Sequence, residues 1–141
     1  MRVLALDVGD RRIGVAVSDP TGVLATPLLA VERTDPASDV SELLRLIEEH
    51  EASEIVVGLP RTLQGDVGIQ AGKVKRFVAS LSERTDVRIA TVDERLSTVQ
   101  AERMLSESPG HRSRDRGRVD AAAAAVILQS YLDSHRESPG R

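Results

Sequence analysis

Val3-Leu4-Ala5-Leu6-Asp7-Val8-Gly9-Asp10-Arg11-Arg12-Ile13-Gly14-Val15-Ala16-Val17 is the stretch on which the fold turns. Two apolar, β-rich runs flank a tight turn containing glycine, the pattern of a β-hairpin that starts at residue 2. Asp7 sits where the first run stops being apolar and the backbone must turn. A carboxylate at the mouth of a buried strand either bonds the turn backbone or belongs to a site. The site reading makes Asp7 a metal ligand.

Beyond the hairpin, Ser18-Asp19-Pro20-Thr21-Gly22 spaces Pro and Gly as a type I turn requires. A third strand follows through Val23–Thr26 and Leu28–Val31, and Pro27, which cannot donate to a ladder, places it at the sheet edge. Asp35 and Pro36 are the N-cap and first position of a helix whose inner face carries Val40, Leu43, Leu44 and Ile47, ending near His50 or Glu51. Ile55-Val56-Val57-Gly58 is a continuous apolar run, the mark of a strand buried on both faces. A polar loop leads from it to a helix from Val67 or Ile69 to Arg84, then to a strand at Val87–Val92 ending in Asp93-Glu94.

Ser97 and Gln100 form a capping-box pattern that opens a helix to about Ser108. Pro109 to Gly117 reads as a basic, turn-rich loop, and a last helix starts near Val119-Asp120 and runs through five alanines to Tyr131. Strand–helix–strand steps after a meander imply parallel additions to it. The expected fold is α/β: a five-stranded mixed sheet, three antiparallel strands then parallel additions, flanked by helices, with the first strand central. Residues 1–134 are expected to form a single domain and 135–141 a flexible tail.

The chain of 141 residues is 40% apolar and 29% charged, with a net charge of −3, so its overall field does not favour a polyanion. Its zero Cys exclude a disulfide framework, a thiolate metal site and a Cys nucleophile. His50, His111 and His135 are scattered and make neither a zinc site nor a Ser/His triad. No window resembles a membrane span or a secretory leader, so the expectation is a cytoplasmic protein with no membrane partner. Phe77 and Tyr131 are the sole aromatics of the Phe/Tyr/Trp class, too few for a base-stacking platform. Any nucleic acid must be held through phosphates, metal and shape.

Three acids occupy comparable places: Asp7 at the end of the first strand, Glu94 (with Asp93) at the end of the last, and Asp120 at the start of the last helix. Sites of open α/β sheets lie outside the carboxyl ends of the strands. Clustered carboxylates repel unless divalent cations neutralise them, and hard oxygen ligands suit Mg²⁺. Such ions can activate water and stabilise the leaving oxygen of a phosphodiester. Each acid also has a plainer reading: a turn bond for Asp7, a solvated strand end for Asp93 or Glu94, a cap or first-turn acid for Asp120. Candidate phosphate-binding residues are Arg11 and Arg12 beside Asp7, Arg95 after Glu94, and Arg112, Arg114, Arg116 and Arg118 before Asp120.

Four landmarks together resemble the YqgF family, described as Holliday-junction-resolvase-like and as nucleases of pre-16S ribosomal RNA. They are Ala5–Gly9 with Arg12–Val17; Ile55–Pro60; Asp93-Glu94-Arg95-Leu96-Ser97-Thr98; and Gly117-Arg118-Val119-Asp120 before Ala123-Ala124. They span nearly the whole chain in the family's order. Arg118 stands where the family commonly has lysine, which keeps the positive charge. The resemblance implies a ribonuclease-H-like fold and Mg²⁺- or Mn²⁺-dependent phosphodiester cleavage with Asp7, Glu94 and Asp120 as catalytic, metal-binding carboxylates. It also implies trimming of the 5′ end of 16S precursor RNA in ribosome biogenesis, with ribosomal precursor particles as partners. The alternatives are a resolvase of four-way DNA junctions, which is expected to need a homodimer where RNA trimming could be done by a monomer, and a non-catalytic nucleic-acid-binding or ribosome-assembly module. An actin-like or sugar-kinase ATPase also begins with Asp-x-Gly but needs two copies of the fold around its nucleotide.

Overall fold

Alternation along strand β1 (Arg2–Val8) generates both layers of the molecule. Leu4, Leu6 and Val8 join one apolar cluster while Val3 and Ala5 join the other, because successive side chains of a strand leave opposite faces. The computed structural model describes residues 2–59, 68–93 and 113–137. After β1 come β2 (Arg12–Ser18), β3 (Ala25–Glu32), α1 (Pro36–Glu49), β4 (Ala52–Leu59), α2 (Ile69–Ser82), β5 (Arg88–Asp93) and α3 (Ser113–Glu137). The strands form one mixed sheet in the order β3-β2-β1-β4-β5. Antiparallel pairing joins β1 to β2 and β2 to β3, and parallel pairing joins β1 to β4 and β4 to β5. The expected sheet, with β1 at its centre, is the one observed.

Local signals account for most boundaries. Pro27 lies on edge strand β3, opposite Ala16, where the β2–β3 ladder shifts register. The Asp35 side chain accepts from the Ser38 N–H at 2.9 Å and caps α1, with Pro36 at its first position. α1 stops at His50, and Glu51 takes a left-handed φ of 53° to leave it.

The two clusters differ in kind. On one face Val40, Leu43, Leu46 and Ile47 of α1 and Val74, Phe77 and Leu81 of α2 pack on Leu4, Leu6, Ile13, Val15, Ile55 and Val57. On the other, α3 lays Ala124, Ile127, Leu128, Tyr131 and Leu132 on Val3, Ala5, Ala16 and Val56. Small residues let α3 lie close to the sheet. A Cβ built on Gly14 would stand 1.9 Å from the Asp120 carbonyl oxygen, and one on Gly117 would stand 3.6 Å from Ala30 Cβ.

One expectation is corrected. α3 begins at Ser113, not near Val119-Asp120, so residues 113–117 are helical where a loop was expected. The single Gly117 costs about 1 kcal/mol relative to Ala within a helix, and it lies beside Ala30, where an added Cβ would make ordinary van der Waals contact at 3.6 Å. α3 runs to Glu137, and the His135 ring lies 4.0 Å from that of Tyr131. The expected helix at 97–108, the start of the basic segment and residues 138–141 lie outside the described residues. Among the described residues no helix is long and apolar enough to cross a membrane.

Gly14→Ala is expected to destabilise the protein by roughly 1–3 kcal/mol in urea denaturation, because the clash is with helix backbone that no rotamer change relieves. Tyr131 gives a second measurement. Its hydroxyl donates to Glu54 Oε2 at 2.6 Å, and burial first, then the Glu54 carboxylate, pushes the phenol from 10.0 up to about 12. Folding thus favours the protonated phenol: this contribution is complete below about pH 10 and is lost as pH rises through about 12. The chain has one Tyr and no Trp, so tyrosinate absorbance reads this group alone. Its midpoint should fall towards 10 in urea and fall part of the way in Glu54→Gln.

Candidate active site

Asp7 continues the β1 set, Val3 and Ala5, that faces α3, at the carboxyl end of the strand. It is half-buried, and its cross-strand partner on β2 is Gly14, which pairs in turn with Ala30 on β3. Asp7, Gly14 and Ala30 thus form a row across three strands, and two of its members have little or no side chain. α3 crosses this row with Gly117 over Ala30 and the Asp120 main chain against Gly14. Asp7 and Asp120, far apart in sequence, therefore occupy adjoining positions.

Asp120 lies in the third turn of α3. It is neither a cap nor a first-turn acid, and the helix-terminus readings lapse. Its Oδ2 instead accepts from Arg12 Nε at 2.7 Å, the two side chains being 28% and 20% exposed. The register of parallel strands brings the carboxyl ends of β1, β4 and β5 to one edge of the sheet, where Leu6 pairs with Val57 and Leu59 with Asp93. That is the edge at which ligands meet open α/β sheets.

The turn after Asp7 is closed by the Gly9 N–H, which donates to the Arg12 carbonyl at 2.9 Å. A Cβ on Gly9 would meet that same oxygen at 2.9 Å, so the tight approach requires glycine. Arg33 straps the turn from below. Its Nη1 donates to the Gly9 carbonyl at 2.9 Å, its Nε to Asp39 Oδ2 at 3.0 Å, and its guanidinium lies 5.2 Å from the centre of the Phe77 ring. Asp39, 2% exposed, also accepts from the Thr34 N–H at 2.9 Å. Sequence reasoning missed this pair, although Asp39 sits four residues before Leu43 on the apolar face of α1, where an acid needs a partner.

The remaining candidates divide. Arg11 is exposed on the turn and Arg118 is exposed on α3. Arg114 and Arg116 belong to the opening turns of α3, while Glu94, Arg95 and Arg112 lie outside the described residues. Among the described residues no three His, Asp or Glu side chains group closely enough to hold a metal ion. Asp7 and Asp120 are two hard-oxygen donors of the type that Mg²⁺ or Mn²⁺ takes, and the donor chemistry fits such an ion. Phe77 and Tyr131 are both buried, so neither offers a face for base stacking.

Residues 1–134 match the family model RuvX, described as Holliday junction resolvase. The chain belongs to the RuvX family. A relative from Roseiflexus sp. (strain RS-1), named "Putative pre-16S rRNA nuclease", is 47% identical over 135 residues, 96% of each chain. One of the same name from Desulforudis audaxviator is 44% identical, again over 96% of each. Among solved structures, T. thermophilus RuvC in complex with a Holliday junction substrate superposes with a TM-score of 0.58 at 14% identity, covering 96% of each chain. The Fowlpox virus resolvase bound to Holliday junction DNA gives 0.56 at 12% identity, covering 96% of this chain and 99% of that one. At such identities the likeness concerns the fold, which this RuvX-family chain shares with RuvC-type resolvases, in line with the ribonuclease-H-like expectation.

Asp39→Ala would leave Arg33 without its carboxylate and the Thr34 N–H without its acceptor. Breaking a fully buried pair costs about 3–5 kcal/mol. Since Arg33 is 23% exposed, a loss of about 2–3 kcal/mol is expected in urea denaturation.

Proposed function

We propose that this chain is a divalent-metal-dependent nuclease that hydrolyses phosphodiester bonds, with the 5′ region of pre-16S ribosomal RNA as its substrate. The observation that carries this reading is the seating of Asp120 against Gly14, the cross-strand partner of Asp7, at the carboxyl edge of the sheet. Two acidic residues at neighbouring positions on that edge supply hard-oxygen donors for a divalent cation. Asp7, Glu94 and Asp120 are assigned as the carboxylates that hold the ion. Glu94 is chosen over Asp93 because it matches the family landmark Asp93-Glu94-Arg95-Leu96-Ser97-Thr98.

When bound, Mg²⁺ or Mn²⁺ supplies Lewis acidity towards a phosphoryl oxygen and lowers the pKa of water. The protein's own part is positional. Gly9 and Arg33 fix the turn that follows Asp7, and the trough at Gly14 fixes Asp120. Arg11, Arg118 and the other arginines near the site hold backbone phosphates. With both aromatic rings buried, recognition runs through phosphate and shape rather than base stacking. The names of the curated relatives support an RNA substrate, and the reading places the activity in the cytoplasm, on ribosomal precursor particles. The family description supports a second reading, cleavage of four-way DNA junctions, which would call for a homodimer.

Pre-16S RNA and a DNA four-way junction should be incubated in parallel with Mg²⁺, Mn²⁺ or EDTA. RNA cleavage is expected with either metal and none with EDTA, and Asp7→Asn should fall to background with unchanged circular dichroism. Undiminished cleavage by Asp7→Asn would sink the site assignment. Junction cleavage alone selects the resolvase reading, and metal-independent binding without turnover selects a non-catalytic module.

A further inference from the structure

Arg12 opens β2 directly after the turn that follows Asp7, and its guanidinium is bonded to the Asp120 carboxylate at 2.7 Å. A cation already rests, therefore, on one of the two described acids of the site. An incoming divalent ion meets both an engaged oxygen and a like charge. The two partners are not equally free to separate. The main chain of Asp120 is wedged against Gly14, where even a Cβ would stand 1.9 Å away. Arg12 reaches Asp120 through a long, unbranched side chain, so separation falls to the arginine. A phosphodiester offers its planar fork an alternative anion of matching geometry.

We propose that Arg12 couples cation binding to nucleic-acid binding. It neutralises Asp120 in the ligand-free protein and exchanges onto a backbone phosphate when nucleic acid arrives, leaving Asp120 open to a divalent ion. Arg12 is a positioning residue in this scheme, and the scheme rests on the reading that Asp7, Glu94 and Asp120 hold the ion. Linkage makes the coupling reciprocal: the ion strengthens nucleic-acid binding by the factor with which nucleic acid strengthens ion binding.

The test is Mn²⁺ affinity of the full chain, by calorimetry or electron paramagnetic resonance, with and without a nuclease-resistant phosphorothioate oligonucleotide. The wild type should bind Mn²⁺ roughly tenfold more tightly with the oligonucleotide, within the usual range of such couplings. Arg12→Gln should bind Mn²⁺ several-fold more tightly than wild type when alone and lose most of the coupling. Arg88→Gln removes an equal charge from the exposed amino end of β5, the edge opposite the site, and should leave the coupling in place. Arg12→Lys retains the charge without the fork, should show reduced coupling, and serves if Arg12→Gln does not fold. The proposal is overturned if Arg12→Gln keeps the wild-type affinity and coupling, or if Arg88→Gln reproduces its effect. Asp7→Asn and Asp120→Asn separate the two levels: unchanged Mn²⁺ affinity in both defeats the metal-site reading itself, whereas a loss in both with no effect at Arg12 defeats the coupling alone.

Discussion

The contact between the Asp120 main chain and the bare backbone of Gly14 is the constraint on which the rest of the structure depends. A helix normally rests on a sheet through a layer of side chains. Here a missing Cβ lets backbone approach backbone, and Gly117 before it and Ala124 after it extend the close fit along the helix. Register then makes this contact functional, since Gly14 is paired with Asp7. One absent methyl group thereby seats the Asp120 backbone next to the strand partner of Asp7, a residue the chain separates from it by most of its length.

The turn beside Asp7 shows the same economy from the opposite face. Arg33 joins the Gly9 carbonyl, the buried Asp39 and the Phe77 ring, and so links the hairpin to both α1 and α2. Burying Asp39 would be costly alone, and its ion pair and the Thr34 N–H offset that cost. The molecule spends its buried charge and one of its two aromatics on holding a turn, not on recognising a base.

Where the sequence carries local signals, it was a sound guide. The Asp35-Pro36 cap, the edge position forced by Pro27, the hairpin and the central place of β1 all follow from a few neighbouring residues. The start of α3 was not legible, because a segment with Gly117 and alternating arginines reads as a loop until Ala30 and Gly14 supply a surface for it. Asp120 stood out by position, yet its ion pair with Arg12 joins residues 108 apart and leaves no local trace. Asp39 was legible in principle: it is an acid on the apolar face of an amphipathic helix.

The two faces of the sheet also divide the labour of stability. α1 and α2 bury leucines, isoleucines, valines and a phenylalanine, whereas the end of α3 that bears Asp120 meets the sheet through glycine and alanine. The large apolar anchors of α3 lie further along, at Ile127, Leu128, Tyr131 and Leu132. Hydrophobic stabilisation follows the apolar area withdrawn from water, so these anchors hold the described part of α3 on the sheet while Asp120 sits about two turns upstream of Ile127. A substitution among them can therefore disturb the position of Asp120 while α1 and α2 still back the opposite face of the sheet.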